Sequence, residues 1–141
     1  MNVKLEYCPN GIKAVEEKIL SLEQLEKRLY ELKGILTIEK NSDGLKCIAT
    51  VDVVMESIGR ISIALDEKCI LLFYDETDDI YFNSLGDPFI EGDTEELYDF
   101  GQPAESSNKY IIQYKDGLIA LKDWIDTKKL SKKIKWTNEI L

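Results

Sequence analysis

The stretch Arg60 to Ser84, RISIALDEKCILLFYDETDDIYFNS, decides the fold. It holds three runs rich in β-branched and aromatic residues, Arg60 to Leu65, Cys69 to Tyr74 and Ile80 to Ser84, separated by the charged turns DEK and DETDD. Runs of this length and composition favour strands, because branched and aromatic side chains pack well on a pleated surface. Turns this short leave no room for the crossover that parallel neighbours need, so consecutive strands pair antiparallel. The stretch predicts a β-meander.

Upstream, Leu36 to Glu39 and Leu45 to Val54 flank the turn NSDG and read as two further strands. Val3 to Cys8 alternates apolar and polar residues as a half-buried strand does, and PNG at Pro9 to Gly11 supplies a turn. Ile12 to Leu20 fits either a return strand or the start of a helix. Ser21 has the hydroxyl of a good N-cap, and Gln24 can reach back to complete a capping box. From there Leu22, Leu25, Leu29 and Leu32 recur at helical spacing, with Gly34 as the expected stop, which predicts a helix over Leu22 to Lys33. Downstream, Leu118, Leu121, Trp124 and Ile125 form one helical face, and Lys128 and Lys129 place positive charge at the negative end of that helix. A short strand, Lys133 to Trp136, follows. These elements predict an α+β fold in a single domain spanning residues 1–141: an antiparallel sheet of five to seven strands with two main helices packed on one face.

A chain of 141 residues suits one hydrophobic core. Hydrophobic content of 44% beside 32% charged residues is an ordinary globular balance. No apolar run approaches the roughly 20 residues needed to cross a bilayer. The N-terminus lacks a basic region followed by an apolar one, so cytoplasmic residence is the expectation. Cys8, Cys47 and Cys69 are widely spaced in strand-like sequence and read as reduced core thiols. Trp124 and Trp136 read as packing residues.

The chemistry of common enzymes is missing. There is no histidine, which removes Ser-His-Asp and Cys-His mechanisms and the commonest transition-metal ligand. The cysteines make no C-x-x-C pair, and the eight glycines form no phosphate-binding loop. DETDD lacks the alternate ligands, central Gly and distal Glu of a calcium loop. No cofactor, metal or catalytic residue is therefore expected, and the protein is read as not an enzyme. A carboxylate pair acting on glycosides is the catalytic alternative, because one acid and one base suffice there without histidine.

Charge is more informative. With 27 acidic and 18 basic residues the net charge is −9, which disfavours nucleic acid and anionic membranes and attracts a basic partner. The segment Tyr81 to Gly101, YFNSLGDPFIEGDTEELYDFG, packs five aromatic rings and six carboxylates together with no Lys or Arg. Tyr81 to Ser84 and Leu97 to Phe100 read as strands, and Leu85 to Glu96 as an acidic loop bent by Gly86, Pro88 and Gly92. Alternation puts Tyr98 and Phe100 on one face and Asp99 on the other.

The second half of the chain resembles the Imm-one family of immunity proteins from bacterial polymorphic toxin systems. The resemblance rests on YFNSLGDP at Tyr81 to Pro88, similar to the family's aromatic, Ser, Gly-Asp pattern, and on ELYDFG at Glu96 to Gly101. It also rests on KYIIQYKDGLIALKDWIDTKKLSKKIKW at Lys109 to Trp136, which resembles the family's closing helix, spacer and terminal Trp. Many members read T-G-x-x-P in the spacer, whereas here Lys128 follows Thr127 and Ser131 stands at the proline position.

The resemblance implies a non-catalytic inhibitor that binds and neutralises a cognate toxin domain of nuclease or deaminase type. Carboxylates would compete with phosphate in the toxin's basic groove, and aromatic rings would anchor the contact. The candidate toxin-binding residues are Asp75, Glu76, Asp78 and Asp79 in one turn, Asp87, Glu91, Asp93, Glu95 and Glu96 in the next, and Tyr98. An acidic adaptor or regulatory module unrelated to toxins is the alternative. Oligomeric state is not legible in the sequence.

Overall fold

The computed structural model describes residues 1–9, 13–36, 48–92, 94–99 and 102–139. Its elements are β1 (Val3–Tyr7), β2 (Val15–Ile19), α1 (Leu22–Leu36), β3 (Ile48–Met55), β4 (Gly59–Ala64), β5 (Lys68–Cys69), β6 (Leu71–Asp75), β7 (Ile80–Leu85), β8 (Thr94–Asp99), β9 (Gln102–Ser107), a single 3-10 turn (Asn108–Tyr110), β10 (Ile112–Gln113), α2 (Tyr114–Thr127) and β11 (Lys135–Thr137). Seven strands form one antiparallel sheet in the order β11-β7-β6-β4-β3-β1-β2. The fold is α+β, and its centre is the meander that the sequence predicts.

Register sorts the side chains into two faces. Val3, Leu5, Val51, Val53, Ile61, Ile63, Leu71 and Phe73 share the face that meets the helices. Against it α1 lays Leu25, Leu29, Leu32 and Leu36, and α2 lays Ala120, Leu121, Trp124 and Ile125. Trp124 is fully buried and meets Phe73 edge-on, with ring centroids 5.7 Å apart. The helices lie beside each other. Lys122 bonds Glu26, and Lys33 sits 4.9 Å above the Tyr114 ring.

Several boundaries differ from the sequence reading. The helix does not stop at Gly34 but runs to Leu36, whose burial extends the apolar stripe and offsets the roughly 1 kcal/mol that Gly costs inside a helix. Leu36 is thus helical rather than the start of a strand, and residues 37–47, with NSDG and Cys47, lie outside the described residues. Of the run Ile12 to Leu20, Ile12 lies outside the described residues and Val15–Ile19 form the return strand β2. Its helix neighbour is capped by Ser21, whose hydroxyl accepts from the Gln24 N–H at 3.1 Å, while the Gln24 side chain reaches back to the Leu20 N–H. The run Cys69 to Tyr74 is divided: Cys69 pairs with Ile112 of β10, and β6 begins at Leu71. Cys69 is free and fully buried, whereas Cys8 is free and only partly buried.

The acidic loop ends sooner than expected. Glu95 and Glu96 lie in β8, which pairs antiparallel with β9, a strand that the polar run QPAESS concealed. β8 also joins β3 in parallel through Ile48↔Leu97 and Ala49↔Tyr98, an exception to the antiparallel rule that the long connection after β7 permits.

Two polar clusters hold the elements in place. Arg28 of α1 grips Glu17 of β2 with two bonds, Nε to Oε2 at 2.8 Å and Nη2 to Oε1 at 2.7 Å, and Tyr7 of β1 donates to the same carboxylate at 2.7 Å. A bidentate pair of this kind fixes orientation as well as energy. It holds the Glu17 carboxyl below the usual range, chiefly through the Arg28 bond. At the end of α2, Lys128 takes the left-handed conformation, φ 61°, and donates its N–H to the Trp124 carbonyl at 2.7 Å. Thr127 Oγ1 donates to the Asp123 carbonyl at 2.8 Å, and buried Ser131 donates to the Asp123 carboxylate at 2.8 Å. Trp136 Nε1 closes the spacer on the Ser131 carbonyl at 2.9 Å.

Two outcomes follow for stability. Lys128→Gly relieves a left-handed non-glycine residue and raises unfolding free energy by about 1 kcal/mol in urea titration. Because the Glu17 pKa is lower folded than unfolded, its contribution is complete above the unfolded value, about 4.3, and is lost as pH falls through the folded value. Glu17→Gln therefore destabilises by about 1–2 kcal/mol at pH 7, and the gap from wild type narrows below pH ~4 when urea midpoints are compared.

Candidate functional site

DETDD forms the tip of the β6–β7 hairpin, and the chemistry of its first residue explains its shape. The Asp75 carboxylate turns back to accept from the N–H groups of Thr77 at 2.8 Å and Asp78 at 3.3 Å, and its carbonyl accepts from the Asp79 N–H at 3.0 Å. Asp79 is left-handed, φ 54°, a conformation that Asp adopts more readily than most residues. Glu76 and Asp78 are left exposed to water. Among the described residues neither of them, nor Asp75, forms an ion pair.

Beside the tip lies an aromatic platform. Tyr74 and Tyr81 are directly paired across the hairpin, and their rings stack with centroids 4.6 Å apart on the face away from the helices. Tyr81 is 54% exposed. Tyr74 donates its hydroxyl to Asp79 at 2.8 Å, and that carboxylate raises the phenol pKa above the ordinary tyrosine value. With Arg60, Ser62 and Leu72 the two rings line a shallow cavity of about 230 Å³. Asp52, on the same face and almost fully buried, accepts from Ser62 Oγ and from Arg60 Nη1 at 3.3 Å. The β3–β4 turn flanks the tip, since the Glu76 N–H reaches the Ile58 carbonyl at 3.4 Å, and it brings exposed Glu56 to the same end. Gly59 is required there: a Cβ would stand 2.1 Å from the Tyr74 carbonyl oxygen.

The candidate residues divide between two places. Asp75, Glu76, Asp78 and Asp79 are together at the tip. Asp87 and Glu91 are in the loop at the other end of β7, roughly 17 Å away along an extended strand. Asp93 lies outside the described residues, and Glu95, Glu96 and Tyr98 are placed only as backbone of β8. Phe82 faces the core and stacks on Phe73 at 6.5 Å, so of the first ring pair only Tyr81 is at the surface. Tyr74, Arg60 and Ser62 were not singled out from sequence. The signal was present for Tyr74: residues that flank a hairpin turn at matching distance share a face.

Charge is segregated along the chain. From Cys69 to Asn108 there are 11 carboxylates and no Lys or Arg, so β6, β7 and their loops carry an almost uniform negative field. A larger cleft of about 340 Å³ along the β1–β2 edge differs, because Lys4 pairs there with Glu6 at 3.1 Å and Glu16 at 3.4 Å. Among the described residues no group of three or more His, Cys, Asp or Glu is arranged to hold a metal ion, and no helix is long and apolar enough to cross a membrane.

No protein-family model matches the chain, and no curated protein matches it.

The Tyr74–Asp79 bond gives a spectroscopic outcome. In ring-labelled tyrosine NMR, Tyr74 titrates above the usual value of about 10, and Asp79→Asn brings it back towards that value.

Proposed function

We propose that this chain is an immunity protein that binds a cognate bacterial toxin domain, of nuclease or deaminase type, and neutralises it without catalysis in the cytoplasm. The observation that carries the reading is the hairpin tip, where unpaired carboxylates stand beside an exposed, rigid tyrosine stack. Rings in a fixed geometry bury large area at low entropic cost, and surrounding charge steers a basic partner towards them. A toxin that handles nucleic acid has such a basic groove, and Glu76 and Asp78 would occupy the positions of substrate phosphates.

The motifs that carry the family resemblance also have defined structural work. Ser84 is fully buried, accepting from the Leu71 N–H at 3.0 Å and donating to the Tyr110 carbonyl at 2.7 Å. Gly86 donates its N–H to the Lys109 carbonyl at 2.7 Å. Lys128 holds the left-handed backbone suited to the glycine that many members have there.

The test is binding and inhibition of the toxin domain encoded by the adjacent upstream reading frame. The expected result is a stable complex that abolishes toxin activity. Glu76→Lys with Asp78→Lys should slow association about tenfold at low salt, and the difference should shrink as ionic strength rises. Absence of binding at micromolar concentration overturns the immunity reading. An on-rate unchanged by the reversals removes the tip from it.

A further inference from the structure

Phe89 is 90% exposed, and its neighbour Ile90 is 39% exposed. Both sit at the crest of the loop that follows β7, in the sequence GDPFIEG. Single exposed apolar residues are commonplace on flexible loops, but this loop is braced at both feet. At the first, the Gly86 N–H bonds the Lys109 carbonyl, and a Cβ on Gly86 would stand 1.9 Å from the Ile111 carbonyl oxygen, so the chain passes hard against the segment after β9. At the second, Gly92 is left-handed, φ 88°, with its Cβ position 2.8 Å from the Asn108 side chain. Between them the Asp87 carboxylate accepts from the Phe89 N–H at 2.9 Å, the Asp87 carbonyl accepts from the Ile90 N–H at 3.3 Å, and Pro88 fixes one more dihedral. These three hydrogen bonds and the Pro88 ring restrict the backbone that carries the Phe89 side chain before any partner arrives.

We infer that Phe89, with Ile90 beside it, is a preformed anchor that inserts into an apolar socket rimmed by Lys or Arg on the partner protein. Preorganisation reduces the entropy lost on binding, and large apolar side chains in desolvated pockets dominate interface energies. The rim is assigned by charge: Asp87 and Glu91 flank the apolar pair, and among the described residues neither forms an ion pair. Two carboxylates beside the ring repel a phosphate backbone or an anionic bilayer. They equally disfavour a second copy of this chain, whose net charge is −9. This assignment rests on the immunity reading and adds to it a second contact at the far end of β7. A standard interface of about 800 Å² per partner is wide enough to take in both ends of the strand.

The experiment measures association and dissociation rates of wild type, Phe89→Ala and Glu91→Lys with the toxin domain from the adjacent reading frame, alongside thermal unfolding. Unfolding should be unchanged in both variants, because each side chain is in water. Phe89→Ala should speed dissociation about 30-fold while leaving association nearly unchanged. Phe89→Leu should restore part of the lifetime. Glu91→Lys should slow association at low salt only. If wild type binds and Phe89→Ala dissociates within twofold of it, the anchor is overturned and the immunity reading stands. If wild type fails to bind, both fall. If sedimentation shows wild type self-associating and Phe89→Ala monomeric, the loop belongs to a contact between copies of this chain and the assignment is overturned.

Discussion

Burial of β3 on both faces is the constraint from which the rest of the structure follows. Every residue from Ala49 to Met55 is buried, and a strand sends alternate side chains to opposite sides. Val51, Val53 and Met55 are covered by the two helices. The other side carries Thr50, Asp52 and Val54, and a carboxylate in so dry a place needs charged or hydrogen-bonding partners. β4 supplies them in register: Asp52 lies opposite Ser62, and Arg60 lies opposite Val54, near enough to reach both Asp52 and Glu6. The helix-free face is therefore tied at its centre by ion pairs, and the tyrosine stack is built on the strands next to that tie.

Much of this was legible in the sequence because local signals agreed. Apolar runs broken by short charged turns specify β4, β6 and β7 with little competition, and the leucine stripe with Ser21 specifies α1. Reading failed where a local rule was outweighed by packing. Gly34 is a stop signal, yet Leu36 gains more from burial than the glycine costs. Ile70 continues an apolar run, yet the chain leaves the main sheet there so that Cys69 can pair with β10 and sit under Gly117, whose missing side chain makes the room. β9 was invisible because QPAESS has the composition of a loop, and it is a strand only because β8 lies beside it.

The surface was legible in kind but not in arrangement. Composition marks the middle of the chain as acidic, but nothing in the sequence says that β7 holds its two acidic groups apart. Nor does a run of rings disclose which are structural. Period-two alternation gives Tyr81 and Phe82 opposite fates, and only the strand register shows that Tyr81 meets Tyr74 outside while Phe82 meets Phe73 within. The same register makes Ser84 a buried link between β6 and the segment before α2, a role that its small polar side chain alone does not suggest.

The hairpin tip divides its labour residue by residue. Asp75 and Asp79 shape the turn, one through its backbone bonds and the other through its left-handed conformation and its bond to Tyr74. The side chains of Glu76 and Asp78, interleaved with them, are exposed and have no part in that shaping. Substitutions at such sites ordinarily change stability by no more than about 0.5 kcal/mol. The outward chemistry of the tip can thus be rewritten while its framework stays intact, so the charge displayed there is set independently of the fold.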